Sequence, residues 1–274
     1  YSYEYANIHR GVYELSSKLT KKYENSRLSV SNFINSPSPN NIIFTKSATE
    51  GINLVSSCLS NNYFQDGDEI MVTTLEHHAN LVPWHLISKK INIVNAEINS
   101  KGELNYNDLL EKINSKTKLI AITHMSNVTG SITSFEEIKI KAKKFNIPIL
   151  IDGCQFVPHN KLDIKQLDPD FYVFSAHKLY GPSGLGVLYM KDTWIEKLGP
   201  YQGGGSMIKN VETNSSTYLE DNQKFEAGTP PIAQVIGLSS SIDFINEVGI
   251  NNIYYHENEL TKYAYDKMKE RNDV

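Results

Sequence analysis

A chain of 274 residues with 40% hydrophobic and 21% charged residues has a globular composition, and it is long enough for one large α/β domain or two smaller ones. Its 27 basic and 31 acidic side chains leave a formal net charge of −4, and no basic stripe invites nucleic acid. No apolar run nears the ~20 residues that span a bilayer, Tyr1-Ser2-Tyr3-Glu4 lacks the regions of a secretory signal, and two cysteines are too few for a disulfide framework, so a soluble protein of a reducing compartment is expected.

Apolar residues at Val12, Leu15, Leu19, Tyr23, Val30 and Phe33 recur at three- and four-residue spacing and predict an amphipathic helix from Gly11 to about Phe33. Asn41-Ile42-Ile43-Phe44 reads as a short strand that runs through a polar turn into a helix over Ile52–Leu59. Strands follow near Glu69–Thr74, Ile91–Ile98, Leu119–Thr123 and Pro148–Ile151, with helical segments around Leu81–Lys89, Asn105–Ile113 and Phe135–Phe145. Such alternation means βα units on a largely parallel sheet, hence an α/β fold. Phe171–Phe174 and Val187–Met190 lie close enough to pair as a hairpin-like or mixed addition. Gln202–Glu220, rich in Gly, Ser, Thr and Asn, reads as a mobile loop. Helices dominate after Pro231, and Asn252–Val274 reads as a charged amphipathic helix without a Gly or Pro terminator, as if the chain continued.

Four segments carry chemistry. Lys178, in Ser175-Ala176-His177-Lys178, follows a strand and precedes a Gly-rich turn. Carboxyl ends of strands line the ligand crevice of an α/β sheet, and a lysine with a lowered pKa there is an amine nucleophile capable of Schiff-base chemistry; the bland reading is a surface lysine in a turn. Asp152 ends the apolar strand Ile149-Leu150-Ile151, with Gln155 three positions on. A carboxylate there is costly unless paired; a pyridinium nitrogen is one partner, and a helix N-cap is the ordinary alternative. Ala48-Thr49-Glu50-Gly51 opens a helix and suits a phosphate, or is simply a cap. Glu76-His77-His78-Ala79-Asn80 follows another strand, where one histidine could stack on a cofactor ring. Zinc competes, but adjacent histidines diverge and lack the spacing of a zinc helix, so no metal is expected. Cys58 and Cys154 read as small buried hydrophobes without a catalytic role.

In order and spacing these pieces resemble the class V aminotransferase group of fold-type I pyridoxal-phosphate (PLP) enzymes. Ala6-Asn7-Ile8-His9-Arg10-Gly11, Glu76 through Trp84, Gly203-Gly204-Gly205-Ser206-Met207-Ile208 and Phe225-Glu226-Ala227-Gly228-Thr229-Pro230 resemble SufS-type, group II cysteine desulfurases and selenocysteine lyases. The resemblance implies a three-layer large domain with a mostly parallel sheet over residues 1–250. Residues 251–274 would begin a helix leading to a C-terminal small domain missing here, along with the family's opening strand. It further implies that Lys178 holds pyridoxal 5'-phosphate, Asp152 pairs with its ring nitrogen, His78 stacks on the ring and moves protons, and Gln155 bonds the phenolic oxygen. Thr49, Ser175 and His177 would hold the phosphate, with Thr229 reaching in from the second subunit of a homodimer. Asn127 would lie near substrate and cofactor, and His9 and Arg10 near the substrate entrance.

The implied reaction converts L-cysteine to L-alanine and an enzyme persulfide, passed to a sulfur-acceptor protein of the SufE/SufU kind for iron–sulfur cluster assembly. The nucleophilic cysteine and the arginine for the substrate carboxylate belong to the absent C-terminal region. Alternatives are a lyase acting on L-selenocysteine, a kynureninase-like hydrolase, or a non-catalytic dimeric scaffold. Bacterial cytoplasm or the plastid stroma of a parasite or alga would house the protein, with no nucleic-acid or membrane partner.

Overall fold

A computed structural model describes residues 5–9 and 11–271. In chain order the elements are α1 (Glu14–Phe33), β1 (Ile42–Thr45), α2 (Ala48–Asn62), β2 (Glu69–Thr73), α3 (Val82–His85), β3 (Asn92–Ala96), α4 (Tyr106–Lys112), β4 (Thr117–Thr123), α5 (Glu136–Phe145) and β5 (Ile149–Asp152). Then come α6 (Ile164–Leu167), β6 (Phe171–Ser175), β7 (Gly186–Met190), α7 (Asp192–Lys197), β8 (Ile208–Val211), β9 (Ser216–Tyr218), α8 (Ile232–Val248) and α9 (Ile250–Lys269).

A seven-stranded sheet in the order β1-β7-β6-β5-β4-β2-β3 forms the middle layer. The pairs from β6 through β3 are parallel, whereas β7 runs antiparallel to both β6 and β1. The Phe171–Phe174 and Val187–Met190 segments therefore pair as the mixed part of the sheet, as their short separation requires.

Side chains alternate between two faces with the period of the pleat. Ile42, Phe44, Ile151, Tyr172, Phe174, Val187 and Tyr189 pack with Leu19, Tyr23 and Val30 of α1 and Val235, Leu238 and Ile242 of α8. Ile43, Leu150, Phe171, Val173, Leu188 and Met190 face Ile52, Val55 and Leu59 of α2, Trp84 of α3 and Trp194 of α7. Each fully buried aliphatic or aromatic side chain contributes about 1.5–3 kcal/mol, so two separate cores clamp the sheet into three layers.

Two expectations are corrected. The helix expected over Leu81–Lys89 is a single turn at Val82–His85: Trp84 is buried but Leu86 is 74% exposed, so the apolar residues do not form one buried stripe. The loop expected at Gln202–Glu220 contains the hairpin β8–β9, closed by the Glu212 N–H donating to the Ser215 carbonyl. Its strands are almost wholly exposed, so no core pattern marks them in the sequence. Among the described residues, no helix is long and apolar enough to cross a membrane.

Candidate active site

The carboxyl ends of β4, β5 and β6 converge with the start of α2 on a pocket of about 210 Å³. Thr123, Asp152 and Ser175 are the last residues of those strands, and Lys178 closes a 3-10 turn, Ala176–Lys178, directly after β6. Ser47, Thr49, His77, Asn127, Cys154, Gln155 and His177 complete the polar lining.

One end of the pocket is built to hold an anion. Ser47 caps α2 by accepting the Glu50 N–H, and Ser175 Oγ accepts the Ala48 N–H at 2.9 Å. The Thr49 N–H has no partner among the described residues. An unspent first-turn N–H and the helix dipole favour negative charge, and Ser175, whose oxygen is already an acceptor, keeps its own O–H to donate. The hydroxyl of Thr49 and the ring of His177 lie in the same lining.

A buried carboxyl group also lines the pocket. Asp152 is buried at 5% exposure; its Oδ1 accepts the Cys154 N–H at 3.0 Å, and it forms no ion pair with a cation among the described residues. A buried carboxylate without a counter-cation is expensive and suits a protonated heterocycle. The strand end is held rigidly behind it. Gly153 allows Tyr172 to pack so close that a Cβ there would fall 2.1 Å from the phenolic oxygen. That oxygen meets His124 Nδ1 at 2.9 Å, and the His124 ring stacks on Phe156 at 3.5 Å. Burial holds His124 neutral, its pKa lowered to about 3. The Cys154 thiol lines the pocket, and burial first, then Asp152, raises its pKa well above the ordinary value.

Glu76 braces this end of the sheet. Its carboxylate accepts from the Thr73 hydroxyl (2.7 Å), the Thr123 N–H (3.0 Å) and Asn80 Nδ2 (2.6 Å), and burial pushes its pKa up to about 8. It ties the ends of β2 and β4 to the turn that presents His77. An amine nucleophile, a buried carboxylate and an anion cradle in one cleft fit PLP, which presents an aldehyde, a ring nitrogen and a phosphate.

Of the residues singled out in the sequence, Thr49, Asn127, Asp152, Gln155, Ser175, His177 and Lys178 share the pocket. His78 does not line it; its neighbour His77 does. Consecutive residues in a turn diverge, and His77 is fixed by its Nδ1 accepting the Ala79 N–H at 3.1 Å. Thr229 is exposed and does not line the pocket. His9 precedes α1 and packs against it, paired with Glu24 at 3.0 Å and edge-on to Tyr23, while Arg10 lies outside the described residues. Sequence reasoning missed Ser47, Thr123, Met125 and Cys154 as lining residues, and of the two histidines it aimed at the crevice it gave the ring to His78. Thr123 was legible as another strand end; nothing in sequence selects between His77 and His78.

The model of the aminotransferase class-V family matches residues 1–274. A cysteine desulfurase of Wigglesworthia glossinidia brevipalpis is 44% identical over 98% of this chain and 66% of its own. Among solved structures, the cysteine desulfurase CsdA of Escherichia coli superposes with a TM-score of 0.90 at 36% identity, covering 97% of this chain and 67% of its own. The apo cysteine desulfurase of Thermococcus onnurineus NA1 gives 0.93 at 35% identity, covering 98% of this chain and 67% of its own. The chain thus spans about two thirds of the length of the relatives it matches.

Proposed function

This chain belongs to the aminotransferase class-V family, and on that footing we propose that it is the cofactor-binding part of a PLP-dependent cysteine desulfurase of the SufS type. The reading is carried by the meeting of Lys178, Asp152 and the start of α2 in one pocket. When bound, PLP supplies a Schiff base and an electron sink that labilises bonds at the substrate's Cα and Cβ.

Lys178 would hold the cofactor through its amine. Asp152 keeps the ring nitrogen protonated, and Gln155 meets the phenolic oxygen. Thr49, Ser175 and His177 bind the phosphate. His77 takes the ring-facing role that the resemblance assigned to its neighbour: with Nδ1 spent on the Ala79 N–H, Nε2 is its proton-exchanging nitrogen. Asn127 lies toward the substrate. His9 and Arg10 are left to the substrate entrance.

The buried thiols of Cys58 and Cys154 do not suit the acceptor role, because burial raises both pKa values and the thiolate is the nucleophile. We assign sulfur acceptance to the part of the whole protein that lies outside these residues. Residues 1–250 form the large domain and 251–274 begin the link to a smaller one. The whole protein is a homodimer in which Thr229 of each copy reaches the other's phosphate. It passes sulfur to an acceptor of the SufE/SufU kind for iron–sulfur clusters, in bacterial cytoplasm.

The test is turnover of the full-length protein with L-cysteine and with L-selenocysteine, measuring alanine and the persulfide. Alanine in step with persulfide from cysteine supports the reading. Elemental selenium from selenocysteine with no turnover of cysteine points to the lyase instead.

A further inference from the structure

β1 is an edge strand, and its outer edge is sealed by side chains where a further strand would otherwise pair. Glu226 Oε1 accepts the Phe44 N–H at 2.7 Å, and both Arg27 Nη1 and Asn222 Nδ2 donate to the Ile42 carbonyl at 2.7 Å. Arg27 and Glu226 also hold each other in a two-pronged pair, Nη1 to Oε1 at 2.8 Å and Nη2 to Oε2 at 2.9 Å. The Arg27 side chain is 3% exposed; its guanidinium lies over the Phe44 ring at 4.7 Å and spends Nε on Glu24 at 3.1 Å.

Such a pair adds little net stability over well-packed apolar side chains, because desolvating two charges offsets their attraction. What a bidentate pair adds is fixed geometry. The segment it fixes is anchored on alternate residues: Asn222 on Ile42, Lys224 with its amine on the Ile195 carbonyl, and Glu226 on Arg27 and Phe44. Immediately beyond, the chain turns outward. Gly228, at φ +89°, adopts a conformation that favours glycine, gives its N–H to the Gly205 carbonyl, and leads to exposed Thr229.

We propose that the Arg27–Glu226 pair is a positioning device that sets the reach of the Gly228–Thr229 tip toward the phosphate end of a second copy's pocket. This rests on the dimer and PLP reading above. Arg27 and Glu226 touch neither cofactor nor substrate; they act through Thr229.

The test compares binding of PLP with binding of pyridoxal, which lacks the phosphate, to the full-length apo-protein. Variants are Arg27→Lys, Glu226→Gln and the double Arg27→Met/Glu226→Met, which replaces the charged pair with an apolar one and is used only where circular dichroism and size-exclusion show it folded and dimeric. Expected is a loss of about tenfold in PLP affinity with pyridoxal affinity unchanged, as for a site held too loosely at one end. The proposal is overturned if the double variant, folded and dimeric, binds PLP as tightly as wild type, or if PLP and pyridoxal affinities fall in parallel. Absence of PLP binding by the wild type would instead overturn the functional reading.

Discussion

Ser175 Oγ accepts the Ala48 N–H at 2.9 Å, so the strand that delivers Lys178 and the helix that opens at Thr49 meet on one buried hydrogen bond. Ser175→Ala leaves that N–H unpaired and removes a hydroxyl from the anion cradle. Stability should fall by about 1–3 kcal/mol, the cost of an orphaned buried donor, as read by chemical denaturation, and PLP affinity should fall with it. Unchanged stability and affinity would mean that the contact organises neither element.

In the same pocket, Asp152 is a buried carboxylate that forms no ion pair among the described residues. Asp152→Ala should weaken PLP binding by about 10- to 100-fold, the equivalent of a charge-assisted hydrogen bond, and should slow Cα deprotonation in the full-length enzyme. Asp152→Glu should be partly tolerated. Normal turnover by Asp152→Ala would remove the residue from the mechanism.

Glu76 predicts a pH dependence of opposite sign to that of most carboxylates. Its folded-state pKa, raised to about 8 by burial, exceeds the unfolded value of about 4.3, so the folded chain binds more protons between the two. Its contribution to stability is therefore present in full at low pH and is lost as pH rises from about 4.3 through about 8. Glu76→Gln, which has no proton to gain or lose, should flatten that slope; the site accommodates it because Asn80 can turn its amide and present Oδ1, now buried without a partner, to the new NH₂. Denaturation of the apo-protein from pH 5 to 9 reads it; parallel wild-type and variant slopes would show that Glu76 is ionised throughout.

The cysteines offer a negative test. Burial pushes the Cys58 thiol up to about 12 and raises Cys154 as well, so iodoacetamide should label neither in the folded chain at neutral pH. In the full-length protein, Cys58→Ala and Cys154→Ala should each retain persulfide formation. Loss of the persulfide in either variant would make that thiol the acceptor.

What the sequence disclosed depended on range. Asp152, Ser175 and Lys178 were legible because each ends or follows a run of apolar residues, and strand ends converge in a parallel sheet. The β8–β9 hairpin was not, because exposed strands carry no burial pattern. The Glu76 brace was hidden for another reason: the Thr123 N–H it accepts lies 47 residues away. The choice between His77 and His78 turns on one hydrogen bond from the Ala79 N–H to the His77 ring within a turn, which residue types alone do not encode.

The most direct test of the account is borohydride reduction of the PLP-loaded full-length protein, followed by peptide mass spectrometry. The account predicts a yellow sample whose pyridoxyl group is on the peptide containing Lys178, and no covalent adduct in Lys178→Ala. A pyridoxyl group on another lysine, or on none in a folded, PLP-loaded sample, would contradict it.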